Sequence, residues 1–256
     1  MVIKLVKDKR EPMPRLGTKK LYNELLTELM KIKVGRDMLN KILKANSMLV
    51  PPMRQFVITT DSRHHFPKYK DLVTGTTISH PEQVWVSDIT YIKANGRYYY
   101  LSMITDAYSK MIMGYSIDGN MNVELVLESL AMAFSNRQYK TRLIHHSDRG
   151  SQYCCCEYQE KLRQMHIVTS MTENSDPYTN AIAERVNGII KQEFLLGIKF
   201  HSLIELKIAI DQSVYAYNYL RPHLSCHMLT PHKMHQQRQL IRIEYSNKHK
   251  YQKTNV

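Results

Sequence analysis

The sequence contains no apolar run long enough to cross a membrane, and it begins MVIKLVKDKR, in which charges resume after a few apolar residues. A membrane-spanning helix needs about 20 consecutive apolar residues, so we expect a soluble chain without a signal peptide. Cysteine is also scarce, and three of the four cysteines are consecutive, at positions 154–156. Consecutive cysteines suit neither a disulfide framework nor the usual spacing of zinc ligands, which favours reduced thiols in the cytoplasm.

Basic residues outnumber acidic residues at both ends of the chain. The net charge is +9 over residues 1–80, −1 over residues 81–200 and +5 over residues 201–256, which gives +13 in total. A nearly neutral centre between basic flanks is typical of a catalytic core that is held on a polyanion such as DNA. Lysine-rich surfaces also serve solubility, so the charge alone leaves both interpretations open.

Two short segments near the N-terminus have helical periodicity. Leucines recur at helical spacing within 17–30, and a second amphipathic pattern covers 36–44, with Gly35 between them. This arrangement predicts a helix-turn-helix whose second helix could enter the major groove of DNA, although a helical hairpin that only packs is the alternative. The outward basic residues of the second helix are candidate DNA contacts: Arg36, Lys41 and Lys44.

Strand-like alternation begins near residue 83 and continues into a second strand after Asn95-Gly96, a pair that predicts a tight hairpin. A third strand follows, and the remaining segments alternate between helix and strand. The predicted order is β-β-β-α-β-α-β-α, which indicates an α/β fold with a mixed five-stranded sheet. This order resembles the ribonuclease H-like fold, here preceded by the small helical domain.

Three acidic residues occupy positions at which chemistry is expected. Asp88 lies in the first of these strands, Asp148 ends the fourth, and Glu184 lies in the first turn of a helix. Three converging carboxylates repel one another unless cations lie between them. Two divalent ions about 3.5–4 Å apart stabilise both the attacking and the leaving oxygen in a displacement at a phosphodiester. The pattern therefore indicates a two-metal site in which water or a 3′-hydroxyl is the nucleophile.

Four stretches of the sequence together resemble the DDE transposases of insertion sequences and the retroviral-type integrases. They are WVSDITYI, HHSDRGSQY, SMTENSDPYTNAIAERVNGIIKQEF and YNYLRPHLSCHMLTP. The chain is most similar to the OrfB type of the IS-three family, over roughly residues 15–235. The resemblance implies that Asp88, Asp148 and Glu184 form the metal-binding catalytic triad. It also implies two Mg²⁺ ions, for which Mn²⁺ could substitute.

The same resemblance divides the chain and adds candidate DNA contacts. It implies a helix-turn-helix domain (1–50), a basic linker (51–80), a ribonuclease H-like integrase catalytic core (81–235) and a basic C-terminal tail (236–256). Lys191 takes the family's basic position two turns beyond the glutamate, and we expect it to point away from the core, toward the DNA backbone. The further candidates are Arg149, Arg221 and His223.

The resemblance implies cleavage and strand transfer at the ends of an insertion element. Its substrates would be terminal inverted repeats and target DNA, and it would act as a homo-oligomer with an OrfA partner or as an OrfA-OrfB fusion, in the bacterial cytoplasm at the nucleoid. Two departures bear on whether this copy is active: Ser175 and Thr179 replace residues that are often glycine and acidic in relatives. A decayed DNA-binding copy that competes for element ends, or a stand-alone nuclease of the same fold, is the alternative.

Several weaker signals have two interpretations. Asp106 could be a fourth metal ligand, but we interpret it as a hydrogen-bonding turn residue. His145 and His146 could suggest zinc, but their spacing does not fit, and we expect them at the rim of the active site. Trp85 could stack on a base, but on a strand it is more often a core residue.

Overall fold

The computed structural model describes residues 1–51, 65–172, 181–195, 198–237 and 243–244. Ser175, Thr179 and most of the predicted C-terminal tail therefore lie outside the described residues. The helices are α1 (Val2–Arg10), α2 (Thr18–Glu24), α3 (Leu26–Lys31), α4 (Arg36–Ala45), α5 (Val123–Ser135), α6 (Ser151–Cys154), α7 (Cys156–Gln164), α8 (Ala181–Ile189), α9 (Leu203–Tyr215) and α10 (Pro231–His235). The strands are β1 (Thr77–Ile78), β2 (Val84–Ala94), β3 (Arg97–Asp106), β4 (Ile112–Asp118), β5 (Ile144–Ser147), β6 (Val168–Met171) and β7 (Ile243–Glu244).

The N-terminal helices follow the predicted pattern with one interruption. The segment predicted as one helix over 17–30 is divided at Leu25, whose φ of −108° and ψ of 16° are not helical. The second predicted helix is α4, which begins after Gly35 and packs against α2. Buried leucines from α2, α3 and α4 join the hydrophobic cluster that also contains residues of α8 and α9. The N-terminal helices therefore share a core with the domain that follows them.

The Asn95-Gly96 hairpin is present as predicted. Asn95 and Gly96 both have positive φ, at 47° and 73°, which is the backbone conformation that a type I′ turn requires at its two central positions. This turn lets β2 and β3 pair as antiparallel neighbours along their whole length. The hairpin thereby fixes the register of the longest strand, β2, from which the candidate site is built.

The sheet has five strands in the order β4-β3-β2-β5-β6. β2, β3 and β4 pair antiparallel, whereas β5 and β6 continue the sheet in parallel with β2. The predicted mixed five-stranded α/β fold is confirmed. A separate pair of short strands, β1 and β7, lies outside this sheet.

The two faces of the sheet carry different helices. Odd-numbered residues of β2 such as Trp85 and Ile89 pack with α5 and α7, while Ile92 and Ala94 belong to the cluster with α8 and α9. Because side chains alternate along a strand, Asp88 faces the α8 side of the sheet. Trp85 is fully buried, which confirms its prediction as a core residue.

The described part of the predicted linker is packed rather than extended. Val73 and Ile78 are fully buried beside Cys226 and Met234, and the backbone N–H of Leu72 donates to the Ser170 side chain. Residues 65–80 of the predicted linker thus contribute apolar side chains to a small buried cluster, which their lack of periodicity in the sequence did not indicate. No helix in the described ranges is long and apolar enough to span a membrane.

Candidate active site

Two neighbouring parallel strands bring Asp88 and Asp148 close together. β2 and β5 pair in parallel, with Ser87 directly opposite Ser147. Adjacent strands lie about 4.7–4.9 Å apart, so the residues that follow this pair, Asp88 and Asp148, are neighbours at the same point of the sheet. Both side chains are half-buried. The sheet therefore supplies a pair of carboxylates from residues that are far apart in the sequence.

The turn after β5 orients the Asp148 carboxylate. The backbone N–H of Gly150 donates to Oδ1 of Asp148 over 3.0 Å, immediately before α6 begins. A Cβ atom at position 150 would lie 3.1 Å from the same Oδ1, closer than an ordinary contact. Glycine therefore lets the backbone approach the carboxylate closely enough to bond it.

The helix α8 packs on β2 and contributes a residue that the sequence analysis missed. Asn187 is buried, and its Nδ2 donates to Oδ2 of Asp88 over 2.7 Å. Among the described residues, no donor reaches the other atom of that amide, Oδ1. Asn187 lies three residues after Glu184, and residues at this spacing share one face of a helix. This three-residue spacing from Glu184 is the feature of the sequence from which the role of Asn187 could have been predicted.

Glu184 lies in the first turn of α8, on the face that carries Asn187 toward the sheet. Its side chain is exposed, although nearby protein partly desolvates the carboxylate and raises its pKa. The structure thus brings Asp88 and Asp148 together and places Glu184 nearby, at the edge of the same site.

The charges of Asp148 and Glu184 act on the Asp88 carboxylate. Burial and the negative charge of Asp148 raise the pKa of Asp88 to about 8, with a smaller contribution from Glu184, while the hydrogen bond from Asn187 opposes the rise. A divalent cation would relieve this repulsion, and carboxylate oxygens are the ligands that Mg²⁺ prefers. Across the described ranges, no three His, Cys, Asp or Glu side chains are close enough to hold a metal ion as they stand. The carboxylate oxygens of Asp88 and Asp148 are therefore suitable ligands for a divalent cation, and Glu184 lies outside this pair.

Lys191 does not point away from the core, and that expectation is wrong. Its Nζ donates to Oγ1 of Thr90 over 2.9 Å and lies 4.8 Å from the centre of the Tyr91 ring. The physical reason is the π-helical turn over Ile190–Phe194, which changes the angular spacing of side chains beyond α8. Burial lowers the pKa of Lys191, and the nearby Asp88 carboxylate opposes this shift.

A buried hydroxyl pair lies on the opposite face of β2. Ser87 donates to the phenol oxygen of Tyr153 over 2.9 Å. Burial raises the pKa of Tyr153 well above its usual range, and the charges of Asp148 and Asp88 add to the effect, so the phenol is neutral. This pair supports the strand that carries Asp88, and nothing in the sequence motif indicated it.

His145 and His146 are not at the rim of the site. Both are fully buried; Nε2 of His145 contacts the Tyr158 hydroxyl and Nδ1 of His146 contacts the Ser170 hydroxyl, each at 2.9 Å. Burial lowers the pKa of His145 to about 3, so this ring is neutral. They are inside because β5 is a central strand that is covered on both faces.

The candidate DNA contacts differ in accessibility. Arg221 is buried, and its guanidinium makes two hydrogen bonds of 2.7 Å to the Glu193 carboxylate, so its expected contact with DNA is not supported. Burial and nearby cations lower the pKa of His223 to about 3, which leaves it neutral and unsuited to hold phosphate. The remaining candidates are accessible: exposed Arg36, Lys41 and Lys44 on α4, and half-buried Arg149 beside Asp148.

Asp106 is a structural residue, as we interpreted it. It accepts hydrogen bonds from the backbone N–H groups of Glu82 and Ser109 and from the Ser109 hydroxyl. His235 of α10 lies 3.7 Å from the same carboxylate and 3.3 Å from Glu82. This buried cluster attaches α10 to the sheet.

Comparisons with known proteins agree with this fold. An Integrase core domain model matches residues 78–177, and a second Integrase core domain model matches residues 165–231. The chain is 35% identical over 217 residues to the insertion element IS600 uncharacterized 31 kDa protein of Shigella sonnei, covering 84% of this chain and 79% of that protein. It is 28% identical over 197 residues to transposase InsF for insertion sequence IS3fB of Escherichia coli K12, covering 76% and 68%.

A solved structure shares the architecture. The simian T-cell lymphotropic virus intasome in complex with PP2A regulatory subunit B56 gamma contains a chain that aligns with a TM-score of 0.54. The alignment covers 86% of this chain and 75% of that chain at 18% sequence identity. At this identity the similarity supports the fold.

Proposed function

This chain belongs to the insertion-element transposases that carry an integrase core domain, which are polynucleotidyl transferases, and we propose that Asp88, Asp148 and Glu184 are its catalytic residues. The observation that carries the proposal is the parallel pairing of β2 with β5, which places Asp88 beside Asp148. The charges of Asp148 and Glu184, which both raise the pKa of Asp88, are consistent with this placement. Carboxylates that share a site and disfavour one another's charge are suited to cations.

Integrase core domains of this type use divalent metal ions, and the proposed ligands here are the three carboxylates, with Mg²⁺ as the ion and Mn²⁺ as a substitute. When bound, two such ions stabilise the attacking and the leaving oxygen of a phosphodiester displacement. Asp88 must first lose its proton, because a protonated carboxyl binds cations poorly. Asn187 keeps the Asp88 oxygens oriented, and exposed Glu184 turns toward the pair to complete the site.

The proposed reaction has two displacements at phosphorus. Water first cleaves a strand at the end of the element, and the released 3′-hydroxyl then attacks a strand of target DNA. In the first step a bond forms between phosphorus and the water oxygen while the bond from phosphorus to the 3′ oxygen breaks, which leaves a 5′-phosphate and a 3′-hydroxyl. In the second step a new phosphodiester forms at the attacking 3′ oxygen while a phosphodiester of the target strand breaks and releases a 3′-hydroxyl. In each step the nucleophile loses one proton and the leaving oxygen gains one. No side chain of the protein is bonded to DNA at any stage.

The partners follow from the family. Transposases and integrases bind DNA and form oligomers, and the proposal for this chain is a homo-oligomer on terminal inverted repeats and target DNA. An OrfA partner, supplied separately or as a fusion, would add DNA-binding helices. The proposed place of action is the bacterial cytoplasm, at the nucleoid, where the DNA substrate lies.

A joining assay tests this function. Purified protein is incubated with a labelled DNA duplex that carries an end of the element in which the gene lies, together with target DNA and Mg²⁺. We expect labelled joined products that disappear when EDTA replaces Mg²⁺. Binding without any joining would support a decayed DNA-binding protein, and cleavage without joining would support a nuclease of the same fold.

A further inference from the structure

A cleft of about 440 Å³ separates the N-terminal helices from α8. One wall is formed by the turn before α2 and the start of that helix, including Arg15, Lys19 and Lys20. The other wall is the outer face of α8 and its π-helical continuation, including Arg185 and Gly188. The cleft is therefore built by both parts of the chain and lies outside the carboxylate site.

The lining of this cleft is strongly basic. Four cationic side chains line it, and the acidic residue among the lining residues is Glu193. The carboxylate of Glu193 is already bound by the buried Arg221 guanidinium through two hydrogen bonds of 2.7 Å. Among the described residues that line the cleft, four cations therefore stand against one carboxylate, which is already paired with Arg221.

Lys20 shows the effect of this imbalance. Burial and the positive charges of Arg221 and Arg185 together lower its pKa to about 8, against the opposing charge of Glu193. A lysine that is desolvated among guanidinium groups is destabilised in its charged form. An anion bound in the cleft would remove that cost. The anionic group of a nucleic acid that basic side chains most often contact is the phosphate.

The position of the cleft relative to Glu184 indicates the direction in which a bound DNA strand would run. Gly188, which lines the cleft, lies four residues beyond Glu184 on the same side of α8, and Gln192 follows in the π-helical turn. Four residues of helix rise about 6 Å, which corresponds to about two phosphates along one strand of a duplex. A strand in the cleft would thus lead directly to the first turn of α8.

We infer that this cleft binds the phosphate backbone of the DNA strand that enters the active site. Arg15, Lys19 and Lys20 hold it from the N-terminal helices, and Arg185 holds it from α8. The contacts are to phosphates and carry no sequence information, so the cleft positions the strand and leaves recognition of the element end to other surfaces. This inference rests on the proposed function, because it assumes that Glu184 is at the site of reaction.

Salt dependence of DNA binding tests the cleft. The affinity of the full chain for a labelled DNA duplex is measured against salt concentration without divalent ions, for the parent and for Lys20→Gln/Arg185→Gln. Each lost phosphate contact lowers the slope of log K against log salt by about 1, so we expect a decrease of about 2. The matched control is Lys161→Gln/Lys207→Gln, which removes two exposed cations elsewhere on the core and should leave the slope close to that of the parent.

Gly188 offers a second, independent pair of variants. A Cβ atom at this position meets nothing within 4 Å, so either Ala or Glu fits the helix. Gly188→Glu adds a negative charge to the cleft and should weaken DNA binding, while Gly188→Ala should bind as the parent does. Thermal unfolding of each variant checks that the fold is retained.

The possible outcomes distinguish failure of the cleft assignment from failure of the proposed catalytic function. A parent-like slope for Lys20→Gln/Arg185→Gln, an equal loss in the Lys161→Gln/Lys207→Gln control, or equal binding by the two Gly188 variants would overturn the cleft assignment even if the parent joins DNA. Failure of the parent to join DNA with Mg²⁺, combined with the expected slopes, would instead reject the catalytic proposal and retain the cleft.

Discussion

The side-chain amide of Asn187 is bonded to the carboxylate of Asp88, with 2.7 Å between Nδ2 and Oδ2. The two residues come from a helix and from the longest strand, so this contact fixes α8 against β2 at the point where the carboxylates meet. Asn187 is a positioning residue in this account, because it orients Asp88 rather than touching the reacting atoms.

Removal of the Asn187 amide should weaken metal use more than DNA binding. In Asn187→Ala, the Asp88 carboxylate loses the hydrogen bond that orients it. Loss of a partner that orients a metal ligand typically costs about 10–100-fold in metal affinity or activity. We expect a higher Mg²⁺ concentration for half-maximal joining at unchanged DNA affinity. Asn120→Ala, at an exposed residue, is the control. An unchanged Mg²⁺ requirement in Asn187→Ala would remove Asn187 from the site.

The raised pKa of Asp88 predicts a pH dependence for metal use. The proton competes with the cation for this carboxylate at every pH below about 8. The Mg²⁺ concentration for half-maximal joining should therefore fall by up to about tenfold for each pH unit as the pH approaches 8, and it should level off above that value. Joining rates measured over a grid of pH and Mg²⁺ concentrations check this. A Mg²⁺ requirement that does not vary below pH 8 would contradict the assigned protonation of Asp88.

The buried His235 cluster predicts a stability change in alkaline solution. The hydrogen bonds and charges of Asp106 and Glu82 outweigh burial and raise the pKa of His235 to about 9, from an ordinary 6.5. Because the folded-state pKa is raised, this stabilisation is complete below about pH 6.5 and is lost as the pH rises through about 9. Loss of one partner of a buried pair costs about 3–5 kcal/mol, which we expect for His235→Ala near neutral pH.

Denaturant unfolding of the parent and His235→Ala across that pH range is the measurement. The difference in the free energy of unfolding between the two proteins should shrink as the pH rises from about 6.5 to about 9 and level off above that, since the parent has then lost the same interaction. A constant difference from acid to alkaline pH would mean that His235 contributes through packing alone.

Gly114 in β4 packs so closely against the backbone of α5 that a larger residue at this position should destabilise the fold. A Cβ atom at this position would overlap the Ser129 carbonyl oxygen and lie 2.5 Å from the Ala133 backbone nitrogen. Both atoms belong to the helix backbone, so Gly114→Ala must push α5 away from the sheet, at a cost of at least about 1–3 kcal/mol. Gly119→Ala, where nothing lies within 4 Å, is the matched control. Equal unfolding free energies for the two variants would show that the contact yields easily.

Patterns that depend on neighbouring residues were predictable from the sequence. The Asn95-Gly96 turn and the alternation of β2 fixed the hairpin, because a type I′ turn and a half-buried strand impose local requirements on residue type. The places of Asp88 within the first of these strands and of Asp148 at the end of the fourth also followed from the strand patterns.

Features that depend on packing between distant segments were not predictable. Lys191 was expected to point outward from an ideal helix, but a π-helical turn redirects it to Thr90. Arg221 is inside because it pairs with Glu193 across the core, and basic character alone does not reveal such a partner. His145 and His146 were expected at the rim, whereas β5 lies between β2 and β6 and is covered on both faces, so both rings are buried.

We propose that Asp148 acts with Asp88 and Glu184 in metal-dependent joining. This role is tested by measuring joining of labelled element ends with Mg²⁺ by three proteins: the parent, Asp148→Asn and the surface control Asp8→Asn. Asp148→Asn keeps the size of the side chain but removes its charge. We expect cleavage and joining to collapse while DNA affinity remains, and Asp8→Asn to behave as the parent does. Joining by Asp148→Asn at the rate of the parent would contradict the account.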